Sequence, residues 1–128
     1  MSNSGIRTKN KKTGDLGEEI ACRYLRESGY ALLNRNYWRP WGEIDIVAEL
    51  GEKLCFFEVK TAVSGGSRET VTPETNLHSG KLQRFDRIVQ SYLWEKRIQQ
   101  GREWAFQAIL VLLDMERRQA RVEVVEDL

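Results

Sequence analysis

Apolar and polar positions recur along this chain with two different periods, and each change of period marks an element. Between Gly14 and Ser28, residues Leu16, Ile20, Ala21, Tyr24 and Leu25 share one broad arc when placed roughly 100° apart, which predicts a helix. Gly29 follows as its stop. The period then shortens to two. "YALLNRNYW", Tyr30–Trp38, predicts a strand punctuated by Pro40, and "WGEIDIVAELGEKLCFFEVK", Trp41–Lys60, predicts two more joined by a tight turn. Residues 63–77, rich in Gly, Ser and Thr, make a long loop of the kind that is often functional. Helical spacing returns from Ser79 to Gln99, with Leu82, Phe85, Val89, Tyr92 and Leu93 as the apolar stripe. "EWAFQAILVLLDM" is apolar on both faces, as a central strand is, and "RQARVEVVED" predicts a half-exposed closing strand. The order α-β-β-β-α-β-β predicts one layered α/β domain over residues 14–128, preceded by a flexible basic tail over residues 1–13.

The hairpin carries the chemistry. With Gly51-Glu52 as a two-residue type II′ turn, Asp45 lies opposite Glu58, and Glu43 lies opposite Lys60. The strand period sets these four side chains on one face and Ile44, Ile46, Phe57 and Val59 on the other. Like charges directly opposed in a sheet are destabilising, and a locally broken rule tends to mark function. Close carboxylates relieve their repulsion by sharing a proton or by holding a hard cation. Lys60 beside them is placed to orient a water or to stabilise charge on a phosphate. The same pattern also describes a charged, solvent-facing sheet side with a Glu–Lys ladder. Glu18 lies at the margin of the first helix's apolar arc and Lys81 inside that of the second, so both are candidates to lean toward the sheet.

Composition changes the picture only slightly. Lys and Arg total 20 against 19 Asp and Glu, a net charge of +1, which argues against a purely electrostatic nucleic-acid coat protein but allows a local basic patch. Arg35 and Arg39 flank Trp38, while Arg84 and Arg87 lie off the second helix's apolar arc. These five are candidate nucleic-acid contacts, with Trp38 or Trp41 able to stack on an unpaired base. Cys22 and Cys55 are isolated, which excludes the usual zinc motifs, and Cys55 reads as a small core residue. Unpaired cysteines without a signal segment point to a cytoplasmic setting. The longest apolar run, Ala108–Leu113, is too short to span a bilayer, so no membrane association is expected. No Ser-His-Asp triad, P-loop or GxGxxG turn is present, and His78 reads as a surface histidine.

"GDLGEEIACRYLRESGY", "GEIDIVAE", "FFEVKT" and a K-L-x-R helix resemble the YraN-like bacterial proteins, a family placed among the restriction-endonuclease-like PD-(D/E)XK nucleases near the Holliday-junction resolvases. The resemblance covers nearly all of the chain after the tail. It implies a mixed central β-sheet flanked by helices and a Mg²⁺- or Mn²⁺-dependent endonuclease acting on DNA, with branched or structured DNA as a candidate substrate. By position it implies Asp45 and Glu58, with the Val59 carbonyl and Glu18, as metal ligands. Lys60 is then the lysine that assists the water, with Glu43 and Lys81 as accessory residues. Ile44 stands where the nominal motif has proline, and Gln107 stands in "AFQAI" where the family typically carries Asp. A nucleic-acid-binding module that keeps the fold without efficient catalysis is the alternative, and a protein-interaction adaptor is a third. A homodimer is compatible with all of them.

Overall fold

A computed structural model describes residues 8–64 and 79–125, with side chains from 13 to 64 and from 85 to 125. The elements are α1 (Thr8–Glu27), β1 (Ala31–Arg39), β2 (Gly42–Leu50), β3 (Lys53–Ser64), α2 (Ser79–Glu95), β4 (Trp104–Asp114) and β5 (Gln119–Val125). The expected order α-β-β-β-α-β-β is the observed one. One five-stranded sheet runs in sequence order β1-β2-β3-β4-β5. β1, β2 and β3 form an antiparallel meander, β3 and β4 are parallel, and β4 and β5 are antiparallel. The parallel pair follows from the crossover through α2, since parallel neighbours need a long connection.

α1 begins at Thr8, six residues before the expected start at Gly14. The segment TKNKKT contains neither Gly nor Pro, so nothing stops the helix from extending into what the sequence suggested was tail. At its other end Gly29, at φ 98°, closes a Schellman motif in which Tyr30 N–H donates to the Leu25 carbonyl and Gly29 N–H to that of Arg26.

α2 ends the same way with a different residue. Ile98 N–H donates to the Leu93 carbonyl and Arg97 N–H to that of Trp94, placing Arg97 in the left-handed position at φ 55°. A side chain bearing Cβ is strained there. Arg97→Gly is expected to stabilise the fold by about 0.5–1 kcal/mol; a urea midpoint unchanged or lowered would contradict it.

Both sheet faces are covered. On one, Ala21, Cys22 and Leu25 of α1 pack on Ile46, Ala48, Cys55, Phe57, Ile109, Val111 and Leu113. On the other, Ile88, Val89 and Tyr92 of α2 pack on Tyr37, Ile44, Val47, Leu54, Phe56 and Phe106. β4, central and double-faced, is buried over most of its length as its apolar sequence requires. Cys55 is a core residue as expected, and so is Cys22; neither forms a disulfide among the described residues. Among the described residues no helix is long and apolar enough to cross a membrane.

Candidate functional site

The site forms where the β2–β3 ladder ends. Gly51 adopts φ 62° and Leu50 pairs with Lys53, so the two-residue turn and its register are those the sequence predicts. Pairing proceeds to Ile46 opposite Phe57 and goes no further. β3 continues alongside β4 through Ser64, and β2 continues alongside β1 back to Gly42. In place of the next backbone pair, the Asp45 carboxylate accepts the Val59 N–H at 2.8 Å. Asp45 thus bridges the two diverging strands with its side chain, at the point where the sequence had set it opposite Glu58.

The regular two-face alternation also fails here. Ile46, Phe57 and Val59 pack on the α1 side as a set, but Ile44 belongs to the α2 side. An irregularity in β1 lies alongside. Arg35 pairs with Ile46 and Tyr37 with Ile44, but no Cα pairing joins Asn36 to Asp45 between them. Asn36 has φ 54°, a left-handed backbone that Asn tolerates better than most residues at a cost on the order of 1 kcal/mol. The kink lies beside the point in β2 where apolar residues two apart come to face different helices.

Burial raises the Asp45 carboxyl to about 7, against the pull of the Val59 N–H, and the charges of Glu18, Glu43 and Glu58 push in the same upward direction. Four acids therefore share one electrostatic neighbourhood. Lys60 Nζ lies 3.6 Å from Glu58 Oε2. Glu18 reaches the group because α1 lies close to β3 at Gly17, where an added Cβ would fall 1.9 Å from Thr61 Oγ1.

Glu18 Oε1 accepts hydrogen bonds from Arg35 Nη2 at 3.0 Å and from Asn36 Nδ2 at 3.2 Å. Arg35 Nη1 donates to Glu19 Oε2 at 2.9 Å. These bonds raise the Arg35 guanidinium above its ordinary range and lower Glu19. Arg35 is therefore engaged within the chain rather than offered to a phosphate. Arg39 is likewise ion-paired with Glu95, which also accepts the Tyr37 hydroxyl at 2.8 Å. Of the remaining candidate contacts, Arg87 stacks its guanidinium over the Trp41 ring at 4.7 Å, and Trp41 Nε1 donates to Ser91 Oγ. Trp38 is 59% exposed and pairs across the sheet with Glu43, two residues before Asp45. The side chains of Lys81 and Arg84, and His78 as a whole, lie outside the described residues.

Among the described residues no group of three or more His, Cys, Asp or Glu side chains is placed to hold a metal ion. Gln107 pairs with Phe57 across the β3–β4 ladder, and its buried Oε1 has no hydrogen-bond partner among the described residues. Sequence reasoning missed Asn36 altogether; the available signal was an Asn inside a strand, a residue type that favours irregular backbone. A surface hollow of about 890 Å³ at the end of α2, lined by Trp94, Arg97, Ile98 and Trp104 among others, contains none of the candidate site residues.

Residues 17–126, which include every element of this site, match the model of a family described as "Uncharacterised protein family UPF0102". The chain belongs to the UPF0102 family. A UPF0102 protein of Moorella thermoacetica is 39% identical over 116 residues, covering 91% of this chain and 93% of its own. UPF0102 proteins of Alkaliphilus oremlandii, at 33% identity, and Syntrophus aciditrophicus, at 37%, align over 92% and 94% of this chain and over 97% and 90% of theirs. The UPF0102 match thus begins at Gly17, the residue that seats α1 on β3.

Proposed function

We propose that this UPF0102 protein is a divalent-cation-dependent endonuclease of the restriction-endonuclease-like kind, acting on structured DNA. The observation that carries the reading is the side-chain bridge at the strand divergence. Asp45 is held by Val59 N–H, with Glu58 and Lys60 on β3 and Glu18 on α1 contributing charge beside it. The resemblance of GEID and FFEVK to the PD-(D/E)XK pattern supports it. Mg²⁺ takes one or two carboxylates and keeps several waters, so Asp45 and Glu58 with the Val59 carbonyl match it in donor type and number. Bound there, the cation would supply charge for a phosphate oxygen and a water of lowered pKa.

The chain's own residues have separate tasks. Asp45 and Glu58 bind and orient, and the repulsion among the four acids makes the site receptive to positive charge. Lys60, partly exposed and kept beside Glu58, is placed to hold the attacking water and to stabilise the negative charge on the phosphate oxygens as the bond to the leaving oxygen breaks. Trp38, exposed and next to the acids, offers a flat face to an unpaired base.

The test is a cleavage panel of duplex, fork, four-way and single-stranded DNA with Mg²⁺ or Mn²⁺. Cleavage is expected only with metal, and Lys60→Ala is expected to reduce it by about 10²-fold or more. A second reading, a nucleic-acid-binding module without efficient catalysis, draws on the absence of a three-ligand group among the described residues. Binding that survives EDTA and Asp45→Asn, with no cleavage of any substrate, would favour it.

A further inference from the structure

We infer that Arg35 and Asn36 form a clamp that positions the Glu18 carboxylate beside Asp45, which makes them positioning residues of the cation site. The inference rests on the metal-site reading above and deepens it.

Neighbouring residues on a regular strand point to opposite faces, so Arg35 and Asn36 should not reach the same target. Both do. Arg35 Nη2 and Asn36 Nδ2 donate to one oxygen, Glu18 Oε1. The left-handed backbone at Asn36, with the missing Asn36–Asp45 pairing, makes this convergence possible. The kink and the convergence are therefore one device, and it sits directly across from Asp45.

Its geometry is directional. Both bonds fall on Oε1 and neither on Oε2, which orients the carboxylate as a whole. The second arm of the guanidinium is fixed on Glu19 Oε2, so Arg35 itself is held at both ends of its fork. Glu18 is largely buried while Glu19 is mostly exposed, so the arm on Glu19 acts as an outer anchor for the arm on Glu18. Asn36, which holds Glu18, stands between the Arg35–Ile46 and Tyr37–Ile44 pairs and so lies at the strand position of Asp45. A carboxylate oriented by two donors on one oxygen presents its other oxygen with little freedom left to lose, as outer partners do for metal ligands. A simple tether between α1 and the sheet would need only the Arg35–Glu19 pair.

The test uses the full chain, with Mn²⁺ titration calorimetry beside thermal melting in EDTA. Asn36→Gly keeps the left-handed backbone and removes the amide. It is expected to weaken Mn²⁺ binding by about 10- to 100-fold while the metal-free melting temperature stays close to that of the parent. Arg35→Lys keeps the charge and loses the fork, with a similar loss expected, and serves if the glycine variant does not fold. Asp45→Asn is the reference for a lost ligand. If Asn36→Gly and Arg35→Lys bind Mn²⁺ as tightly as the parent while Asp45→Asn does not, the clamp is wrong and the metal site stands. A loss of affinity matched by a fall in metal-free melting assigns the pair to structure alone and overturns the inference. If the parent takes up no Mn²⁺ at all, the metal site and the clamp fall together.

Discussion

Asp45→Asn is expected to stabilise the metal-free protein at pH 8 and to abolish its stabilisation by Mn²⁺. The folded protein raises the Asp45 carboxyl from an ordinary 3.8 to about 7, so ionising it in the fold is unfavourable. The sign follows directly. The stability this group contributes is fully present below about pH 4, declines as pH rises through 7, and is flat above that. Three units at about 1.36 kcal/mol each set a ceiling of about 4 kcal/mol. Asp45 is half-buried rather than sealed, and solvent lowers the figure to roughly 1–3 kcal/mol. Asn keeps an oxygen for the Val59 N–H, so the bridge between β2 and β3 survives the change.

Urea unfolding at pH 4.5, 6, 7 and 8 measures the difference between parent and variant. Only that difference is diagnostic. Glu19 and Glu95 are lowered by their arginine partners, so their share of stability is lost as pH falls and tilts the raw profile the opposite way. The gap between variant and parent should be small at pH 4.5 and widest at pH 8. Saturating Mn²⁺ should then reverse the ranking, since ligand at about 1,000 times its Kd adds roughly 4.1 kcal/mol to the parent alone. Equal stability of the two proteins at pH 8 in EDTA would show that Asp45 is not disfavoured as an anion, and the electrostatic basis of the site would be lost.

The hairpin was legible in the sequence because its determinants are local. Gly51 supplies the positive φ, the turn fixes the register, and Leu50–Lys53 through Ile46–Phe57 follow. The break beyond Ile46 was not legible, because it lies beside an irregularity in a different strand that the hairpin's own residues do not announce. Period-two arithmetic assumes an unbroken ladder; the Asn36–Asp45 pairing is missing from it, and Ile44 faces the other helix. Double-sided burial removed the usual warning. An apolar residue suits either face of a sheet covered by two helices, so nothing in the composition of GEIDIV distinguishes Ile44 from Ile46. Arg35 was visible only as a basic neighbour of Trp38, since its acid partners lie 16 and 17 residues away on α1. The acids themselves stood out because their proximity violates a local rule, whereas a satisfied ion pair leaves no such trace.

Gly17→Ala is expected to destabilise the protein by about 1–3 kcal/mol, although alanine favours helix over glycine by about 1 kcal/mol. The added Cβ would lie 1.9 Å from Thr61 Oγ1 and 3.0 Å from both Thr61 Cβ and Cγ2. Rotating Thr61 offers little relief, because its Cβ stays in place and its other branch is as close. Either α1 lifts from β3 or the strand shifts, and Glu18, the next residue, moves with the helix. Thr61→Ala in the same chain removes both branches and should restore part of the loss, giving a non-additive double-mutant cycle. Additive losses would show that the two residues are not in contact. The cycle also separates helix seating from side-chain chemistry: if Glu18 acts through its position, Gly17→Ala should weaken Mn²⁺ binding as well, and Thr61→Ala should recover affinity together with stability. Affinity that stays at the parent value while stability falls would mean that Glu18 does not contribute to the cation site.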